Sequence, residues 1–247
     1  MGEIIISKVL VEDLKRLFAE EQHAEERNSD WEEGLKKRFL DSKGILIKDE
    51  DGKEGLNPMT LLVLDTFFSC SAGLTCIHRT NGEEKKNQYC LRKDQIVLVQ
   101  ETEENYSFLW LPTVKFAMGA LAGLMEGIGG SEESVYCREL EAEPALNSVE
   151  HMGSLFMDAG VPEIYQKILR QKELETFAFE GRFEGEQGVL YLLFKVKGNS
   201  VFWYQYRKKK VECGTGSYIG LVNRVGDWLI GTHRELIQNT WQEDAGV

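Results

Sequence analysis

The glycines of Gly214-Thr215-Gly216-Ser217-Tyr218-Ile219-Gly220 are the first candidates for chemistry, because they lie between a strand pattern and a helix pattern. A loop in that setting can cradle a pyrophosphate on backbone amides at a helix N-terminus. It does so within a parallel strand–helix–strand unit, with an acidic residue on the next strand to hold a ribose. Here the strands come as hairpins and no strand pattern follows the helix, so these glycines read as a turn. The second candidate is Phe202-Trp203-Tyr204-Gln205-Tyr206, which runs into Arg207-Lys208-Lys209-Lys210. Rings beside cations can hold single-stranded nucleic acid. On a strand, however, Phe202, Tyr204 and Tyr206 share one face and Trp203 and Gln205 the other, which reads as core aromatics and a lysine-protected hairpin end.

His23, His78, His151 and His233 are scattered with no His-x-x-x-His spacing, and Cys70, Cys76, Cys90, Cys137 and Cys213 form no Cys-x-x-Cys pair. Neither set has the spacing of metal ligands, and no nucleophile elbow or Walker loop is present. The carboxylates of Glu101–Glu104 and Glu139–Glu143 fall in runs typical of solvated faces. No catalytic, cofactor-binding or metal-binding residue is therefore assigned, and the expectation is a protein that is not an enzyme and uses no cofactor. A different feature stands out in the helical run Val114–Ile128, where Gly119, Gly123 and Gly127 share one face. Each costs about 1 kcal/mol against alanine within a helix. A ridge without side chains lets another backbone approach closely. The first reading is tight packing on the protein's own sheet; the second is a groove for a partner helix.

The formal charge of −12 argues against a nucleic-acid partner and against an anionic membrane surface. An acidic surface serves solubility and could also meet a basic protein. With 42% hydrophobic and 28% charged residues the chain has an ordinary globular composition. Met1-Gly2-Glu3 has no basic region ahead of Ile4-Ile5-Ile6, so no signal peptide is read, and Ile6 stands where a myristoylation start needs Ser or Thr. No apolar run reaches the roughly 18 residues needed to span a bilayer. An odd number of cysteines without close pairs fits reduced thiols, so a cytoplasmic location is expected.

The elements that must position a binding surface are given twice. Short β-rich runs at Leu74–Arg79, Tyr89–Arg92, Ile96–Glu101 and Tyr106–Leu111 precede Pro112-Thr113 and the helical run Val114–Ile128. Runs at Leu174–Phe183, Val189–Lys197 and Val201–Cys213 precede the glycine turn and the helical run Tyr218–Ile237. Thr113 and Ser217 are the expected N-caps. The fold expected is α+β, a pseudo-two-fold repeat of antiparallel β-meander plus helix with an N-terminal helical segment. The divisions are 1–55 (helical segment with a short hairpin), 56–130 (first repeat), 131–148 (linker) and 149–247 (second repeat). Val9, Leu10, Leu14, Leu17 and Phe18 form a helical stripe that Trp31, Leu35 and Phe39 resume after an expected cap at Ser29. Asn57-Pro58 opens another helix, Met59–Phe68. Val189–Lys197 is apolar on both faces and reads as a central strand, whereas alternation of Phe177, Phe179 and Phe183 reads as a half-buried one.

This order of elements resembles the EspG-like proteins, the cytosolic chaperones of type VII (ESX) secretion. The resemblance rests on Leu56–Phe68, on Tyr106–Pro112 before Val114–Met125, and on Tyr191–Phe194 through Gly216 before Tyr218–Ile230. The segment Leu40–Leu64 is similar to the opening of Firmicute proteins associated with the same systems. The resemblance implies a quasi-two-fold α+β fold and a non-catalytic chaperone or adaptor that binds helical secreted substrates. It carries over no site residue, so the partner-binding residues are unassigned. Two other readings stay open: an immunity-type protein whose acidic surface blocks a toxin, and an enzyme with a nonlocal site.

Overall fold

Apolar residues on both sides of the central strands decide the architecture, because a sheet buried on both faces needs helices above and below it. The computed structural model describes residues 3–21, 46–48, 52, 54–141, 144 and 148–244. Strand β1 (Ile4–Ser7) leads into helix α1 (Lys8–Glu21), and the hairpin β2 (Leu46–Lys48) and β3 (Glu54–Leu56) into α2 (Pro58–Phe68). A meander follows: β4 (Ala72–Thr80), β5 (Glu83–Arg92), β6 (Gln95–Glu101) and β7 (Asn105–Leu111), closed by α3 (Val114–Leu124). Strand β8 (Ser134–Glu139), a 3-10 turn (Val149–His151), α4 (Met152–Asp158) and α5 (Glu163–Arg170) come next. The second meander is β9 (Glu175–Phe183), β10 (Leu190–Lys197), β11 (Ser200–Arg207) and β12 (Lys210–Gly216), closed by α6 (Tyr218–Asp244).

Ten of these strands form one antiparallel sheet in the order β1-β7-β6-β5-β4-β9-β10-β11-β12-β8. The fold is α+β, and the sequence of edge strand, helices, four-strand meander and closing helix occurs in both halves. The halves meet at β4 and β9, where Cys76 stands opposite Phe179. Helices α3 and α6 cover one sheet face: Ala117, Leu121, Leu221, Val225, Trp228 and Leu229 pack on Leu74, Phe177, Phe179, Leu192, Phe194 and their neighbours. On the other face α1 and α2 cover the first meander, where Val11, Leu14, Val63 and Leu64 meet Val97, Val99 and Phe108. There α4 and the 3-10 turn cover the second, with Met152 and Phe156 on Tyr191, Leu193 and Tyr204.

Several local expectations hold. Asn57 caps α2 by accepting from the Met59 amide at 3.0 Å, with Pro58 in the first turn. Ser217 accepts from the Gly220 amide at 3.3 Å at the start of α6. Arg207–Lys210 is a hairpin end, and Lys208 and Lys209 take left-handed φ values of 49° and 60° there.

Other expectations are corrected. Inside the stretch 131–148, expected to be a linker, β8 pairs with β12, placing Cys213 opposite Tyr136. Strand β9 is buried on both faces at Phe177, Ala178 and Phe179, because it lies between β4 and β10 rather than at a half-covered position. Thr113 extends before α3 without a side-chain capping bond, and α3 ends at Leu124. On α1 Val11 and Leu14 are buried while Val9 points to solvent, and the side chains of Leu17 and Phe18 lie outside the described ones. The expectations for Ser29, Trp31, Leu35 and Phe39 lie outside the described residues.

Candidate partner-binding surface

Among the described residues the helices leave a strip of the sheet uncovered between α2 and the 3-10 turn, and the strip forms part of the floor of an open cleft of about 980 Å³. Alternation along β4 turns Gly73, Thr75 and Ile77 into it, and pairing brings Gln88 and Lys86 of β5 to one side and Arg182 and Glu180 of β9 to the other. Gly73 leaves the middle of the floor without a side chain; the nearest atoms to a Cβ there would be about 3.9–4.0 Å away. Glu180 accepts from the Val149 amide at 2.6 Å and approaches Arg182 at 3.7 Å, so it ties the second meander to the wall above it. Arg92 on the opposite wall pairs with Asp65 of α2. The lining carries Lys86, Arg92, Lys93 and Arg182 against Glu180 and Glu184, a local excess of cations in an acidic chain. This cleft favours a ligand segment bearing carboxylates.

A second surface lies on the opposite face of the molecule. Gly119 and Gly123 are exposed, with open space where each Cβ would stand, and Phe116 one turn earlier is 60% exposed. The expected packing of this ridge against the protein's own sheet is thereby overturned, since Ala117, Leu121 and Met125 supply the sheet-facing side of the helix. Gly127 sits beyond the end of α3 with φ of 87°, where it serves the turn rather than the ridge. Ile219 and Trp241 also present large apolar side chains to solvent along α6.

The remaining sequence candidates are structural. A Cβ on Gly214 would collide with the Ser134 carbonyl of β8 and with the Trp203 ring, so the glycine serves strand approach. A Cβ on Gly216 would lie 3.6 Å from the same ring. Trp203 is buried, donates to the Thr215 carbonyl at 3.1 Å, and has the Arg224 guanidinium 3.5 Å above its ring. Burial lowers the pKa of that guanidinium, with Glu212, Glu133 and Asp227 opposing the shift. Tyr204 donates to the Tyr165 carbonyl at 2.7 Å, and its phenol is pushed up by burial. His78 contacts Glu175 at 2.8 Å and stacks on Phe177, His151 contacts Ser148, and His233 contacts the Asp94 carbonyl. His23 lies outside the described residues. Among the described residues no three His, Cys, Asp or Glu side chains are placed to hold a metal, and no helix is long and apolar enough to cross a membrane.

Sequence reading passed over the cleft because its floor comes from β4, β5 and β9, which meet only in the assembled sheet. One signal was present: Glu180 and Arg182 interrupt an otherwise apolar strand on the face opposite Phe177 and Phe179.

No known protein family matches the chain, and no curated protein matches it. Among solved structures it is similar to the Mycobacterium tuberculosis type VII secretion system chaperone EspG5, solved in complex with a PE25-PPE41 dimer. The identity is 11%, the TM-score 0.54, and the match covers 94% of this chain and 96% of the other. At that identity the likeness is one of fold.

Proposed function

We propose that this chain is a non-catalytic chaperone or adaptor of a type VII secretion system that binds helical secreted substrates in the cytoplasm. The observation that carries the reading is the fold likeness, along nearly the whole of both chains, to a chaperone solved holding a protein dimer. Function resides in sites rather than folds, and the surface of this chain offers two suited to a protein ligand. Phe116 beside the bare backbone at Gly119 and Gly123 can receive a helix that presents apolar residues at helical spacing. The cation excess around Arg182 and Lys86 can orient acidic residues of the same ligand or of a second chain.

The test is co-purification from the native host, at low and at moderate salt, with the secreted helical substrates of the neighbouring operon expressed. Retention of such a substrate by the wild type, and its loss in Phe116→Asp or Arg182→Glu at unchanged melting temperature, is the expected result. Recovery of the protein alone, carrying a small molecule, overturns the reading in favour of an enzyme. Retention of an adjacent toxin instead overturns it in favour of an immunity protein.

A further inference from the structure

We propose that Cys70 and Cys90 form a redox pair that a hydroperoxide entering the cleft oxidises to a disulfide, stapling the end of α2 to strand β5. The two residues are brought together by the start of the sheet. The Ser71 amide donates to the Leu91 carbonyl at 2.9 Å, which draws the connection between α2 and β4 onto β5. Gly73 stands opposite Cys90 in the β4–β5 register, and a Cβ on Gly73 would lie 4.0 Å from Cys70 Sγ. The Cys70 sulfur therefore sits within van der Waals reach of the Gly73 position, on the sheet face that Cys90 shares through the register. Cys70 packs against the apolar cluster that contains Cys90, a hydrogen bond links the two side chains, and the Cys70 thiol donates to the Ala72 carbonyl at 2.8 Å. Cys70 also lines the cleft, whereas Cys90 is buried, so an oxidant meets Cys70 first.

The electrostatics agree with this division of roles. The hydrogen bond with Cys90 lowers the Cys70 thiol below its ordinary value, outweighing burial. The same bond and burial raise Cys90. Burial raises Cys76 and Cys213, and Cys137 on β8 is raised by desolvation and by Glu212. Cys70, which lines the cleft, is the nucleophile, and buried Cys90 the resolving thiol. The Cys70 thiolate attacks the distal oxygen of a hydroperoxide and breaks the O–O bond, leaving a Cys70 sulfenic acid and, after proton uptake, an alcohol or water. The Cys90 sulfur then attacks the Cys70 sulfur; an S–S bond forms, the S–O bond breaks, and hydroxide leaves with the Cys90 proton as water. Two thiols are oxidised and one hydroperoxide is reduced.

The test uses the full chain with Cys137→Ser, which removes the exposed thiol able to join two molecules. Hydrogen peroxide in slight molar excess is expected to remove two titratable thiols, lower the mass by two hydrogens, and give one peptide pair joined through Cys70 and Cys90; dithiothreitol restores both thiols. Adding Cys90→Ser should stop the reaction at a Cys70 sulfenic acid that dimedone traps, and adding Cys70→Ser should abolish both products. Should those variants not fold, dimedone trapping at Cys70 in the Cys137→Ser chain before the disulfide closes reads the same step. Persistence of the Cys70 and Cys90 thiols under peroxide, or a link through Cys76 or Cys213, overturns the proposal.

Discussion

Gly181 on β9 faces the indole of Trp228 on α6 so closely that a Cβ there would lie 2.7 Å from the ring carbon Cε2. Trp228 is fully buried and anchors its ring by donating to the Gly188 carbonyl at 3.2 Å. The glycine therefore sets how near the closing helix comes to the sheet. Gly181→Ala is expected to destabilise the protein by about 1–3 kcal/mol, the usual cost of forcing extra atoms into a packed core. Urea unfolding measures it, and an unchanged midpoint would mean that α6 can lift without loss.

Phe194 on β10 packs on Phe179 with ring centroids 5.4 Å apart and is fully buried. Phe194→Ala should cost about 3–5 kcal/mol. A loss below about 1 kcal/mol in the same unfolding assay would be incompatible with a central position for this strand.

The exposed ridge on α3 separates stability from binding. With open space at both positions, Gly119→Ala and Gly123→Ala should each stabilise the protein by about 1 kcal/mol through helix propensity. If a helix docks there, the same methyl groups should weaken retention of the substrate. Thermal unfolding and the pull-down, run on the same double variant, should move in opposite directions; stronger retention would contradict docking on this face.

The Cys213 thiol is buried between β8 and β11, and burial pushes its pKa up to about 12 from 9.0. A raised folded-state pKa contributes stability that is complete below the unfolded value of 9.0 and is lost as pH rises toward 12. In Cys213→Ala the fall of unfolding free energy with pH in that window should be shallower, by up to about 1.4 kcal/mol per pH unit. Urea midpoints between those pH values decide it, and an identical slope in the variant would refute the assignment.

The legible part of this fold was local. The apolar run at Val189–Lys197 and the facing of Phe202–Tyr206 placed strands correctly, and Trp203 does face away from Tyr204 and Tyr206. Asn57-Pro58 and Ser217 marked helix starts because a cap acts within four residues of itself. The glycine ridge on α3 was visible as a face, but whether it met the sheet or solvent depended on which other side of the helix was more apolar once docked. Strand β8 was missed because Ser134–Glu139 is largely exposed and polar, and an edge strand of that kind shows little alternation to read.

The sequence by itself determined the two runs of strands that each end in a turn and a closing helix, since periodicity, caps and turns act over a few residues. Only the tertiary structure decided that β1 closes on β7, that β8 closes on β12, and that β4 joins β9. Those pairings link segments as far apart as Thr75 and Glu180, whose meeting depends on the whole chain burying both faces of one sheet. The cleft, the place of Cys70 beside Cys90, and the fit of Gly181 to Trp228 all follow from that assembly. Each needs side chains from different elements at a fixed register, and register is set by packing between strands rather than by any one strand's letters.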